Sequence, residues 1–176
     1  MRLHHTSWLL CVVGALFAMG AADPATAPTD HSLLGGKIHF TPPQDWKYQR
    51  SNADDSAIFI APDHDGVMVI AVLPPEASIK PEAALAMVRQ LRMNHQKAGQ
   101  EMIAPPKIER DPHFAIRIQE KYRTKDGKVA DELHLFREVG KRAISLTVQS
   151  ISTEEDKATA VHKKGEETLL SAKSEK

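Results

Sequence analysis

Asp63, His64 and Asp65, consecutive in the loop PDHDG, place two carboxylates and an imidazole within a single turn. Oxygen and imidazole donors of this kind hold divalent cations. If Gly66 filled the glycine position of an EF-hand loop, the first and twelfth positions would both need acids. Ala61 and Val72 stand there instead. The stretch is therefore expected to be a hairpin turn in which Asp65-Gly66 supplies the positive φ, with Asp63, His64 and Asp65 as the candidate metal ligands.

Other reactive side chains are scattered. Seven histidines lie beyond residue 22: His31, His39, His64, His95, His113, His134 and His162. None falls in H-E-x-x-H or another metal-ligand spacing. A hairpin turn over Lys125–Lys128 opposes His134 to Gln119, not to another histidine, so these residues read as surface or half-buried strand positions. Gly35-Gly36-Lys37 resembles the end of a phosphate loop but lacks the earlier glycine, and Ile38 stands where a hydroxyl is required. There is no G-x-S-x-G. Acids are numerous, yet they fall in turns and on polar faces, without the apolar pocket that raises the pKa of a general acid. EKYRTKDGK is basic around one tyrosine and reads as a solvated hairpin tip. No catalytic residue and no cofactor is expected, and the chain is read as non-enzymatic.

Composition limits the partners. With 176 residues, 41% apolar and 26% charged, the chain suits one globular domain. Aromatic content of 5% argues against a stacking platform for bases or sugars. Arg2 followed by an unbroken apolar stretch from Trp8 to Met19, then Gly20 and Ala22, has the form of a secretory signal peptide over residues 1–22. Its apolar length is short for a membrane span, although an uncleaved anchor is the alternative. Cleavage would remove Cys11, the chain's one cysteine, and with it any disulfide or thiol chemistry. Lys and Arg number 23, as do Asp and Glu, so loss of Arg2 leaves one excess acid. Such a balance exerts no long-range pull on nucleic acid or anionic lipid. No second stretch is apolar enough to span a bilayer. The expected location is periplasmic or secreted.

The elements that must position these residues follow from period and punctuation. Residues 23–32 are expected to be a flexible linker and 33–176 a single globular domain. Ile38 and Phe40 make a short strand that Pro42-Pro43 ends, because proline gives no ladder donor. Trp46 is then expected to swing back as a lid over the core, so Trp46, Pro42 and Pro43 are fold determinants and not a site. AIFIAP and GVMVIAVLPP are strands, the second apolar throughout Val67–Leu73 and so covered on both faces. A helix is expected over Pro81–Ala98, with Ala84, Leu85, Val88, Leu91 and His95 on one face, an N-cap between Ser78 and Lys80, and Gly99 as the stop. A variable stretch runs through Pro112. Phe114, Ile116, Ile118 and Tyr122 share one face of the next strand, which Asp126-Gly127 turns into an antiparallel meander. Ser152 and Glu155 form a capping box before a last helix with the thin stripe Ala158, Val161, Thr168, Leu169 and Ala172, weakened by Gly165. The pairs Pro42-Pro43, Pro74-Pro75 and Pro105-Pro106 are near-evenly spaced but flanked differently, so they mark no repeat.

This order gives an α+β fold, an antiparallel sheet of about six strands sandwiched by helices. IHFTPPQDWKYQ and GVMVIAVLPPEASIKPEAALAMVRQL resemble the opening F-x-hydrophobic-P-x-x-W element and the strand-to-helix passage of the PsbP/Mog/DcrB-like α/β/α sandwich group. The resemblance spans Gly36 to Ala172. It implies a scaffold without shared enzyme chemistry, whose members bind proteins: extrinsic photosystem subunits, a nuclear import cofactor, envelope lipoproteins and secretion-effector chaperones. This chain lacks the lipoprotein members' lipid-accepting cysteine and has the leader that the cytoplasmic chaperones lack. The function so implied is a non-enzymatic, extracytoplasmic interaction or assembly factor with a protein partner in the cell envelope. The alternative is a periplasmic small-ligand or metal-binding protein.

Overall fold

The computed structural model describes residues 25–26 and 30–175, except 52, 78, 81 and 153. The expected leader and its cleavage point lie outside the described residues, as do Ser78 and Pro81 at the expected helix start. In chain order the elements are β1 (Ala25–Thr26), β2 (His31–Leu33), β3 (Ile38–Phe40), β4 (Lys47–Gln49), β5 (Ser56–Ile60) and β6 (Gly66–Val72). Then come α1 (Ala83–Lys97), β7 (Glu101–Glu109), β8 (Ile116–Arg123), β9 (Val129–Val139), β10 (Arg142–Ser150), α2 (Glu155–Ser171) and β11 (Lys173–Ser174). Pairing thus begins inside the segment expected to be a linker, at Ala25–Thr26 and at His31.

The main sheet is antiparallel, in the order β1-β4-β5-β6-β10-β9-β8-β7. A second sheet, β11-β3-β2, takes the Ile38–Phe40 strand. The fold is the expected α+β sandwich, with eight strands in the main sheet and not six. β6 sits inside it, buried or half-buried at every position, as its unbroken apolar run requires. One face carries the larger core, where Phe59, Met68, Ile70, Leu133, Leu135, Ile144, Leu146 and Val148 meet Val161 and Leu169 of α2 and Phe40 of the small sheet. The opposite face carries a smaller core of Ile116, Ile118 and Phe136 under Ala84 of α1, with Val88 and Leu91 packed against it. Leu85 is not on that apolar face. It is 61% exposed, and the stripe facing the sheet runs through buried Ala84 and His95 and half-buried Val88 and Leu91 at helical spacing.

Three further expectations are corrected. The stretch after α1 is the edge strand β7, whose pairing with β8 shifts register between Met102 and Ala104 and again between Ala104 and Lys107. An edge tolerates Pro105-Pro106 because one side of the strand needs no ladder donor. The capping box does not form. Glu154 occupies the N-cap without a side-chain bond, and Ser152 Oγ instead accepts from the Glu154 backbone N–H at 3.1 Å. Gly165, expected to weaken α2, is what seats it. A Cβ there would lie 2.8 Å from Val148 Cγ1 and 3.2 Å from Leu146 Cδ2. Gly165→Val should therefore lower the unfolding free energy by about 1–3 kcal/mol, the usual cost of overpacking. A denaturant midpoint equal to wild type would show that α2 can lift without penalty.

The β8–β9 register decides what shares a face. The expected Lys125–Lys128 turn would pair His134 with Gln119. Observed pairs are His134 with Ile118, Gln119 with Leu133, and Glu120 with Glu132. The turn is one residue longer: Thr124 N–H donates to Lys128 O at 2.9 Å, and Gly127 takes φ +82° in a three-residue loop. Because side chains alternate, that single step moves Glu132 and His134 onto the face of Ile116, Ile118, Glu120 and Tyr122.

Candidate functional site

Asp63, His64 and Asp65 are not among the described residues whose donor atoms converge. Asp63 and His64 are exposed and Asp65 is half-buried. The positive φ, +56°, belongs to His64 and not to Gly66. Gly66 is there for space, since a Cβ would come within 3.2 Å of Ala61 Cβ and Val161 Cγ2 and 3.3 Å of Trp46 Cη2. The loop closes through Ala61 N–H to Gly66 O at 2.8 Å, and the Asp65 carbonyl accepts from Ile151 N–H at 2.7 Å. Trp46 is 1% exposed within the larger core, and its backbone N–H reaches Pro43 O at 3.2 Å.

Convergent chemistry lies instead on the α1 face of the sheet. Alternation along β8 carries Ile116, Ile118, Glu120 and Tyr122 inward, and all four are buried. β9 places Glu132 and His134 on the same face, and β10 adds Thr147 opposite His134 and Gln149 opposite Glu132. The last turn of α1 lowers His95 onto this patch, its ring 4.1 Å from that of Tyr122. Backbone N–H of Gln100 returns to His95 O at 2.9 Å, which brings the Gln100 side chain beside the imidazole.

Glu120 Oε1 is the hub, 2.9 Å from His95 Nε2 and 3.0 Å from His134 Nε2. His95 Nδ1 lies 2.6 Å from Gln100 Oε1, and His134 Nδ1 lies 3.0 Å from Thr147 Oγ1. A carbonyl and a carboxylate only accept, so both His95 nitrogens face acceptors, an arrangement that favours the protonated ring. Glu132 Oε2 accepts from Tyr122 OH at 2.9 Å, Gln149 Nε2 donates to that hydroxyl, and Glu132 Oε1 lies 3.9 Å from His134 Nε2.

The electrostatics follow from burial and partners. Burial alone would raise the Glu120 pKa, but hydrogen bonds and charge from His134 and His95 pull it down to about 2. His95 and His134, which burial would push down, are raised by the carboxylates facing them. Burial raises Glu132, and the charge of Glu120 opposite adds to it. The face therefore holds the raised-pKa acid that the sequence reading found no place for. A groove of about 540 Å³ lies between Ile79, residues 112–115 and Arg137, and no residue of the cluster lines it.

No protein-family model matches the sequence, and no curated protein matches it. Solved structures do. The Ran-binding protein Mog1p of Saccharomyces cerevisiae superposes with a TM-score of 0.54 at 11% identity, over 84% of this chain and 95% of that one. The cyanobacterial PsbP of Synechocystis gives 0.54 at 13% identity, over 92% of this chain and 100% of that one. A crystal structure from Bacteroides thetaiotaomicron gives 0.51 at 14% identity over 88% of this chain, which spans half the length of that protein. The fold is PsbP/Mog-like, and at these identities the likeness concerns the fold.

Proposed function

We propose that the protein is a non-enzymatic, extracytoplasmic interaction or assembly factor that binds a protein partner in the cell envelope. The observation that carries this reading is a set of exposed apolar side chains on two touching elements. Of five exposed large apolar side chains among the described residues, Leu85 and Met93 stand on α1 and Ile103 and Ile108 on β7. Exposed apolar side chains grouped in this way mark interaction surfaces, whereas single scattered ones do not. β7 is also a sheet edge, yet Pro105-Pro106 and the register shifts interrupt its outer row of donors. The partner is therefore held through side chains and not by a continuous added strand.

A fold shared with a Ran-binding protein is compatible with such a role, while the partner here is a matter for experiment. No described helix is long and apolar enough to cross a membrane. The extracytoplasmic half of the proposal rests on the leader-like residues 1–22. Ile103→Glu/Ile108→Glu should leave the melting temperature near wild type, because both positions are on the surface. It should reduce capture of the partner from an envelope extract by about tenfold or more, the effect of removing two anchors. Equal capture by wild type and variant, or no reproducible partner for either, would sink the reading.

A further inference from the structure

Glu120 and Glu132 are directly opposite across β8 and β9, each 1% exposed. Like charges at opposed positions repel, and burial sharpens the repulsion. One oxygen makes the arrangement stranger still: Glu120 Oε2 is buried with no hydrogen-bond partner among the described residues. Buried carboxylate oxygens are ordinarily satisfied, so an orphan at the centre of a polar cluster points to a group that completes it. Donor atoms of His95, Glu120 and Glu132 lie within 4.8 Å of one another. His134 Nε2 adjoins them, 3.0 Å from Glu120 Oε1 and 3.9 Å from Glu132 Oε1.

We propose that His95, Glu120, Glu132 and His134 form a buried structural site for one first-row divalent metal ion of the zinc class. Three features of the residues agree with this. Two carboxylates balance a 2+ charge, and the ion takes the place of the Nε2 protons that Glu120 Oε1 otherwise accepts. Both imidazoles are oriented from behind at Nδ1, by Gln100 and Thr147, and Glu132 is held by Tyr122. Outer hydrogen bonds of this kind fix the ring and leave Nε2 for the metal. The separations of 2.9, 3.0 and 3.9 Å among these donors straddle the roughly 3.3–3.6 Å that bonds of about 2.0–2.2 Å put between tetrahedral donors, so small side-chain shifts would complete the site. Two nitrogens with two oxygens favour zinc over calcium, magnesium or manganese, which prefer oxygen ligands. Four protein donors leave no open position, the hallmark of a structural site and not a catalytic one. Its mechanical effect would be to pin the last turn of α1 to β8 and β9.

The full chain, stripped with chelator, should be titrated with zinc chloride. It should also be refolded from urea with the metal, because a buried site fills most readily during folding. One equivalent of metal should survive gel filtration, with a raised melting temperature. Cobalt(II) in its place should show the intense visible bands of a four-coordinate ion. Glu120→Gln, close in volume, should cut retention more than tenfold while circular dichroism confirms the fold. If that variant failed to fold, the wild-type cobalt spectrum would decide alone, and octahedral pale bands would overturn the proposal. So would absence of retained metal by either route, unchanged retention in folded Glu120→Gln, or loss of retention in Asp63→Ala/His64→Ala.

Discussion

Trp46→Ala is expected to cost about 3–5 kcal/mol of unfolding free energy, the range for deleting a buried aromatic. That is a large share of the roughly 5–15 kcal/mol that a domain possesses, and it should lower the melting temperature by on the order of 10 °C. Pro42-Pro43 end the pairing after Phe40 and set a turn in which Trp46 N–H returns to Pro43 O. The indole then enters the larger core, and its Cη2 approaches Gly66 so closely that no Cβ fits between them. Truncation leaves a cavity bounded by β6 and α2, two elements already seated on other contacts, so collapse can recover little of the loss. Trp46→Phe should cost distinctly less. Urea unfolding checks both variants. A fully stable Trp46→Ala that had lost a protein partner would recast the indole as a binding anchor.

Much of this architecture is legible in the residues. The all-apolar Val67–Val72 and the alternating Ile144, Leu146 and Val148 each dictate one local solution, Asp126-Gly127 marks a hairpin without fixing its loop length, and the sheet follows from joining them. β7 was hidden because Pro105-Pro106 argue against a strand unless the strand is known to be an edge, and edge status is a tertiary property. Gly165 misled for a similar reason. Helix propensity prices the missing side chain, but only the packed sheet shows what a side chain would strike.

The polar cluster was half-visible. Alternation that buries Ile116, Ile118 and Tyr122 also buries Glu120, and the helical stripe through Ala84, Val88 and Leu91 ends on His95. A charged residue in an apolar series is the signal. What concealed the partners was the hairpin register: a two-residue loop puts Glu132 and His134 on the opposite face, and a three-residue loop with Gly127 at positive φ puts them beside Glu120. One residue of turn length thus separates scattered histidines from a site.

Removing the hub of that cluster should have the second large effect. In chelator-treated protein, Glu120→Ala is expected to cost about 3–5 kcal/mol, because His95 and His134 lose the carboxylate that both face and remain buried. A carboxyl drawn from 4.5 to about 2 corresponds to roughly 3 kcal/mol of linkage, the same order. The direction with pH follows from the sign of each shift. Glu120 is depressed, so its contribution is present above 4.5 and disappears as pH falls toward 2. His95 and His134 are raised, so theirs is present below 6.5 and fades as pH climbs through their folded values. His162, buried on the other face with its pKa lowered, contributes in the opposite sense, above 6.5, and is common to every variant of the cluster. The difference between wild type and Glu120→Gln, measured as unfolding free energy from pH 3 to pH 9, isolates the cluster. It should be greatest between about pH 4.5 and 6.5 and shrink on either side. A flat difference would mean that Glu120 supports the fold by volume alone. Replacing the hub and both histidines at once, His95→Leu/Glu120→Met/His134→Leu, should recover most of the stability lost in Glu120→Ala, since well-packed apolar groups commonly match a buried ionic network. Stability alone therefore does not require these three residues to be polar, and the donor set is better explained by what it can hold.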